Sequence, residues 1–300
     1  MTAADLLSLL TTVSIVLIVF STGMSGQRGS LSMLLRQPSL LFRSLLSMLV
    51  LAPLLAVGFA TSLELPKAVK IALVMMAVSP VPPFLPKKAI KAGGAQSYVI
   101  SLLALSAIVS IVTAPISLQL LDDLFGLRMN IPPIEIAKPL LVSVLLPLVA
   151  GLVFARLAPT VSAKWARIVS GVGSILLVAV VLPQLVSLAP ALRELVGDGT
   201  LLATAGFAIC TLFIGHLLGG PRYENRSVLA LCTATRHPFI AIVLIQANFA
   251  TEKLAVPAVF MALIVTTVAS IPYVRLRRAK RGQAMPQAAP LPQPQSPRST

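Results

Sequence analysis

Long apolar runs separated by short polar loops make up most of this chain. Measured against a hydrocarbon core of roughly 30 Å, which about twenty helical residues cross once, the runs number nine. They fall near residues 6–24, 39–62, 67–93, 96–121, 138–157, 164–188, 200–220, 227–249 and 254–274. Lipid admits only helices or closed barrels as spanning structures, and none of these runs shows the ten-residue alternation of a barrel strand. The pattern therefore predicts an all-α, polytopic membrane protein with nine transmembrane helices.

Two runs break the pattern. The third carries Pro80, Pro82, Pro83 and Pro86 in its middle, and each proline removes an amide hydrogen and crowds the preceding turn. Lys67 to Ser79 is too short to cross, at roughly 20 Å for a rise of 1.5 Å per residue, so a second half-helix from about Phe84 to Ala92 completes the span. The eighth run repeats the design, with one half from Ser227 to Arg236, a break at Pro238, and another half from Phe239 to Phe249. Backbone freed at membrane depth survives only where protein or a cavity covers it. Paired interruptions at matching places in two halves point to a transporter site near the midplane. Spans one to four correspond to spans six to nine. The offset of five inverts one half on the other, so the expectation is an inverted repeat with two broken, crossing helices.

Composition agrees with lipid as the solvent. Hydrophobic residues make up 57% and charged residues 11%, with a mean hydropathy of +0.94; a water-soluble domain carries about a quarter charged residues. The net charge of +15 has a topological cause. If odd-numbered loops face the cytoplasm, that side collects most of the basic residues, including Arg28, Arg36, Arg43, Lys87, Lys88, Lys91 and the run from Arg275 to Arg281. The opposite side holds Lys67, Lys70, Arg128, Lys138, Arg193 and Lys253 with eight of the nine acids. By the positive-inside rule the N-terminus is outside and the C-terminus cytoplasmic, as expected for a multi-pass protein of a bacterial-type inner membrane. Nucleic acid need not be invoked.

The first apolar run follows only MTAAD, without the basic region of a signal peptide, and is expected to stay as a span. Cys210 and Cys232 fall inside spans and imply no disulfide framework. Residues 1–278 form the transmembrane domain, and 279–300, rich in Pro and Gln, read as a disordered cytoplasmic tail.

The opening VFSTGMSGQRGSLSMLLRQPSLLFRSLL, the broken third run leading into KAGGAQSYVISLLALSAIVSIVTAPISLQLL, the GHLLGG ending the seventh run and the broken eighth run resemble the bile acid:sodium symporter family. The likeness extends over roughly residues 10–275, in a form lacking the first of the family's ten helices. It implies a panel of the helices near 6–24, 138–157 and 164–188. It also implies a core of those near 39–62, 67–93, 96–121, 200–220, 227–249 and 254–274, with organic anions carried by movement of one against the other. In sodium-coupled members an E-x-x-x-Q motif supplies sodium ligands; its two positions fall here at Cys232 and Arg236. The family's Ser-Asn pair falls near Phe84 and Leu85, and its two hydroxyl ligands near Tyr98 and Leu102. Sodium wants hard oxygen donors, which a thiol and a guanidinium are not.

These substitutions frame the candidate site. Arg236 is expected to sit where a sodium would sit, a tethered cation satisfying backbone carbonyls at the crossing; the structural alternative is an ion pair, but no acid shares its depth. One of Lys87 and Lys88 is a candidate to face the crossing, because adjacent residues point about 100° apart; the alternative is a stem that snorkels toward headgroups. His237 is either a proton carrier or a neutral ring bonded to backbone beside Pro238. Thr233 and Thr235 either offer hydroxyls to the cavity or bond back to their own helix. Pro80, Pro83 and Pro238 shape the breaks. His216, Gly215, the Gly93-Gly94 pair and the Gly219-Gly220 pair read as close-packing and turn positions. No resident metal or cofactor is expected.

Three function classes stay open. The first is a secondary carrier of small organic anions that runs without sodium, by uniport, exchange or proton linkage. The second is a conventional sodium:organic anion symporter. The third is an intramembrane enzyme or a non-transporting sensor, disfavoured because no carboxylate pair, HExxH or Ser-His-Asp set is present and no signalling domain is attached.

Overall fold

The computed structural model describes residues 3–26, 29–30, 32–125, 133–197 and 199–284. The charges at Arg28, Arg128, Asp198 and Arg298, and the tail beyond Ala284, lie outside the described residues. All regular elements among the described residues are helical, and seven helices are long and apolar enough to cross a membrane.

The helices follow in order as α1 (Ala3–Met24), α2 (Pro38–Leu45), α3 (Ala52–Ser62), α4 (Lys67–Val78), α5 (Leu85–Lys91), α6 (Gln96–Phe125), α7 (Pro133–Leu140), α8 (Leu146–Leu157), α9 (Pro159–Ser187), α10 (Ala189–Glu194), α11 (Thr200–Leu218), α12 (Tyr223–Ala234), α13 (Pro238–Asn248) and α14 (Ala255–Ala284). Wide π-helical turns, Leu46–Leu51 and Leu141–Leu145, join α2 to α3 and α7 to α8 into continuous rods. Proline opens many of these helices at the first turn, where its missing amide hydrogen costs nothing. Single internal prolines at Pro115, Pro183 and Pro272 leave α6, α9 and α14 unbroken. The cluster at Pro80, Pro82 and Pro83 ends α4 outright, because successive missing amides leave no ladder to resume.

The observed bounds differ from the sequence-based ones in two informative places. The helix expected near 254–274 continues to Ala284, so the first turns of the segment read as tail are helical; the basic stretch through Arg275, Arg277, Arg278 and Lys280 suits a helix C-terminus. Acids expected in loops also sit at helix ends: Glu224 lies in the first turn of α12 and Glu194 closes α10, where Glu224 complements the dipole.

Packing divides the helices into two groups. α1 packs along α8 and α9, and the contact is backbone to backbone. A methyl on Gly23 would lie 2.4 Å from Leu148 O, and one on Gly151 would lie 2.2 Å from Phe20 O. Apolar residues of α9 such as Ile175, 73% exposed, face outward, as a lipid-facing surface requires. The second group surrounds the broken helices: α4 packs on α3, α13 and α14, and α11 packs on α12, α14 and α3. Its interior is the larger apolar cluster, whereas Ile15, Val19, Ile100, Ala104 and Leu148 form a smaller one where α6 meets α1 and α8. Gly215 lets α11 approach α12 to a distance that leaves no room for a Cβ, which would fall 2.6 Å from Ala230 Cα. Gly219 does the same against Arg226 at 2.4 Å, and Gly93 and Gly220 turn the chain at φ of 81° and 78°.

Candidate functional site

Both interrupted helices break into extended backbone. α4 ends at Val78 with Ser79 extended, and α12 ends at Ala234 with Thr235 and His237 extended. The two breaks meet, because the His237 amide donates to Pro80 O at 2.9 Å. Buried backbone groups need partners, and this stretch finds them in several elements. The Val81 amide donates to Ser106 Oγ of α6, the Leu85 amide donates to Pro82 O, and Ser79 Oγ donates back to Met75 O. Prolines at Pro80, Pro82 and Pro83 contribute no amide to satisfy.

Arg236, 1% exposed, is the largest of the fully buried side chains. Its Nη1 donates to Ser79 O at 3.2 Å, and its Nη2 donates to Met48 O. Both carbonyls are free for a physical reason. Ser79 closes α4, where the last carbonyls have no intrahelical partner. Met48 lies in the first π-helical turn, where the Ala52 amide reaches back five residues to Ser47 O. The next amide in that register would belong to residue 53, which is proline. Met48 O is therefore left without an intrahelical donor, and the guanidinium takes it. Among the described residues the ion pair is Lys67 with Glu252, far from this site in the loop region of α4 and α14; no carboxylate pairs with Arg236.

Around this pair lies a polar lattice. Thr233 Oγ1 donates to Leu229 O and shares a 2.7 Å hydrogen bond with Ser47 Oγ, the neighbour of Met48. Ser44 Oγ shares another with the Tyr98 hydroxyl. Cys232 and Leu102 are buried in the larger apolar cluster.

His237, 2% exposed, has no hydrogen-bond partner on either ring nitrogen. It is one of the residues around a cavity of about 720 Å³ between α1 and α9 on one side and α13 and α14 on the other. Pro83, Phe84, Pro238 and Phe239 form the core wall, and Leu177, Val181 and Leu185 of α9 form part of the opposite wall. The polar lining is Thr11, Gln184, His237, Gln246 and Thr267. The N-terminus of α13 opens beside it, with Pro238 at the first turn.

Of the sequence candidates, His237, Pro83 and Pro238 line this cavity, and Pro80 anchors the crossing. Arg236 sits behind the wall rather than in it. Thr233 is turned to Ser47 and its own helix, and Thr235 Oγ1 is buried without a partner. Neither Lys87 nor Lys88 lines the main cavity. Lys87 Nζ reaches away to α9, donating to Ser170 O at 3.0 Å and Ser174 Oγ at 2.7 Å. Lys88 is about 100° further round the same helix, and its Nζ is buried with no hydrogen-bond partner. His216 pairs edge-on with Tyr273, its Nδ1 2.9 Å from the Tyr273 hydroxyl. Gln184, Gln246, Thr11 and Thr267 were not among the sequence candidates, since an isolated polar residue in an apolar run has no signature until the helices are packed.

No curated protein matches the chain. A family model does, over a stretch that ends at the start of α10, before α12 and α13. The sodium bile acid symporter family model matches residues 12–189, more than half of the chain, and the chain belongs to that family.

Proposed function

We propose that this chain is a secondary carrier of small amphipathic organic anions that runs without sodium, with the Arg236 guanidinium serving as a built-in cation. Membership of the family makes it a transporter rather than an enzyme. The observation that carries the finer reading is the pair of hydrogen bonds from Arg236 to Ser79 O and Met48 O. These oxygens come from two helix discontinuities and are the kind of hard donors that a bound alkali cation uses. A permanently charged side chain already holds them, and Cys232, four residues earlier, offers sulfur where a carboxylate would be needed. The residues here do not fit sodium.

The substrate class follows from the cavity. About 720 Å³ suits a small-molecule ligand, and apolar walls suit an apolar body. At one end the α13 N-terminus, the unpartnered His237 ring and the buried Arg236 charge all favour a negative group. His237 also offers a route for proton linkage; uniport and exchange are the other modes. Nine crossings with the N-terminus outside, arranged as an inverted repeat, accommodate both broken helices and the basic bias of alternate loops. In that arrangement α1, α7 with α8, and α9 are the panel, and the remaining helices are the core.

Proteoliposome uptake of radiolabelled cholate, benzoate and citrate, with sodium or choline outside, tests the reading. Uptake of an amphipathic monoanion at equal rates in both salts, with an apparent affinity that falls about tenfold or more in His237→Phe, is expected. Uptake that occurs only in sodium would replace this reading with a conventional symporter.

A further inference from the structure

The seam between panel and core holds a second cavity, of about 450 Å³. α1 and α9 run antiparallel along this seam. The large cavity takes Leu7, Thr11 and Ile15 from α1 with residues 177–185 of α9. The small one takes Ser21 and Thr22 from α1 and Ser25 just after it, with residues 163–171 of α9. The two cavities are thus at opposite ends of one seam, and the stretch from Pro83 to Lys87 passes between them: Pro83 and Phe84 wall the first, and Pro86 and Lys87 wall the second.

Their chemistry differs. The large cavity is apolar and contains no lysine or arginine among its lining residues. The small one is polar, with Lys87, Arg167, Gln96 and Ser170 in its wall and no Asp or Glu among its described lining residues. Lys87 is held there by neutral acceptors only: Ser170 O at 3.0 Å and Ser174 Oγ at 2.7 Å. Ser170 O also accepts Ser174 Oγ at 2.7 Å, so its lone pairs are shared. An ammonium has three donors, and these bonds tie the core's short α5 to the panel's α9. A second core-to-panel bond runs at the same end, from Gln96 Nε2 to Ser25 O.

We infer that this small cavity is a second anion subsite, where Lys87 with Arg167 receives the carboxylate of a substrate leaving the large cavity. Lys87 gives up its bonds to Ser170 and Ser174 in doing so. An oxyanion is a stronger partner for an ammonium than a carbonyl or a hydroxyl, because a hydrogen bond charged on both sides is about twice as strong. The same exchange releases the tie between α5 and α9, so arrival of the anion frees the core to slide on the panel. No bond is made or broken beyond hydrogen bonds. The inference rests on the carrier reading above, from which the substrate class is taken.

Calorimetric titration of the purified full-length protein with benzoate tests it. Wild type is expected to bind at two sites. Lys87→Gln weakens one about tenfold or more and leaves the other, while His237→Phe does the reverse. Ser174→Ala keeps the ammonium and removes its competitor, so benzoate is expected to bind the Lys87 site about fivefold more tightly. A lysine that serves only to hold α5 on α9 gives no such gain. Absence of any Lys87-dependent benzoate binding, or unchanged or weaker binding in Ser174→Ala, overturns the subsite whether or not the His237 site is seen. Loss of the His237-dependent event alone counts against the carrier reading instead.

Discussion

The His237 amide and the Pro80 carbonyl are hydrogen-bonded at 2.9 Å across the two breaks. One residue earlier on each side, Arg236 donates to Ser79 O. The interruptions in α4 and α12 are therefore one joint structure, each satisfying backbone that the other exposes. This is how irregular chain persists at membrane depth, where every unpaired group is costly. The same joint carries a full positive charge with no carboxylate partner among the described residues.

Removing that charge strands its acceptors. In Arg236→Gln the shorter amide does not reach both Ser79 O and Met48 O, and each buried carbonyl left unpaired costs about 1–3 kcal/mol. A lower melting temperature in detergent is expected, with Arg236→Lys intermediate because it keeps the charge but not the planar fork. A melting temperature unchanged in Arg236→Gln would mean the guanidinium is not what holds the crossing.

Pro53 acts at a distance. Pro53→Ala supplies the amide that the π-helical register would place on Met48 O, giving that carbonyl an intrahelical donor and weakening its hold on Arg236. Transport is expected to fall while the α2–α3 rod becomes slightly more stable, by the order of 1 kcal/mol for one hydrogen bond. Uptake and thermal melting measured on the same preparation separate the two effects.

The close approach of α1 and α8 depends on two glycines. Gly151→Ala puts a methyl 2.2 Å from Phe20 O and Gly23→Ala puts one 2.4 Å from Leu148 O. Backbone cannot move aside cheaply, so each costs about 1–3 kcal/mol or more, as overpacking does. Gly206→Ala is the internal control, since its nearest neighbour is the Phe59 ring at 3.5 Å, an ordinary contact. Thermal melting should separate the first two variants from the third.

Lys67 and Glu252 pair at 2.5 Å, but the lysine is 68% exposed. Solvent screening reduces such a pair to about 1 kcal/mol or less. Lys67→Met is expected to melt within a few degrees of wild type, and the small difference should shrink further at high salt.

Much of the architecture was legible in the hydrophobic pattern. Runs of twenty apolar residues have one outcome in lipid, and a proline triplet inside one of them ends a helix wherever it occurs. Boundaries were less legible: α14 runs to Ala284 because a basic helix end is favourable, and composition alone read those turns as tail. The direction of Lys87 was not legible, since a rotation of one residue on α5 separates the crossing from α9, and only packing sets that rotation. Nor was the partner of Arg236 at Met48, because it depends on a π-helical turn, which leaves no periodic trace. The prolines signalled where backbone would be free, and the packing decided which side chain would take it.

Equilibrium binding of radiolabelled sodium to the purified protein tests most directly whether Arg236 stands in for a cation. The wild type is expected to show no saturable sodium binding, while remaining competent for uptake of an amphipathic monoanion in choline. Saturable sodium binding to the wild type, with Arg236 in place, would contradict the account.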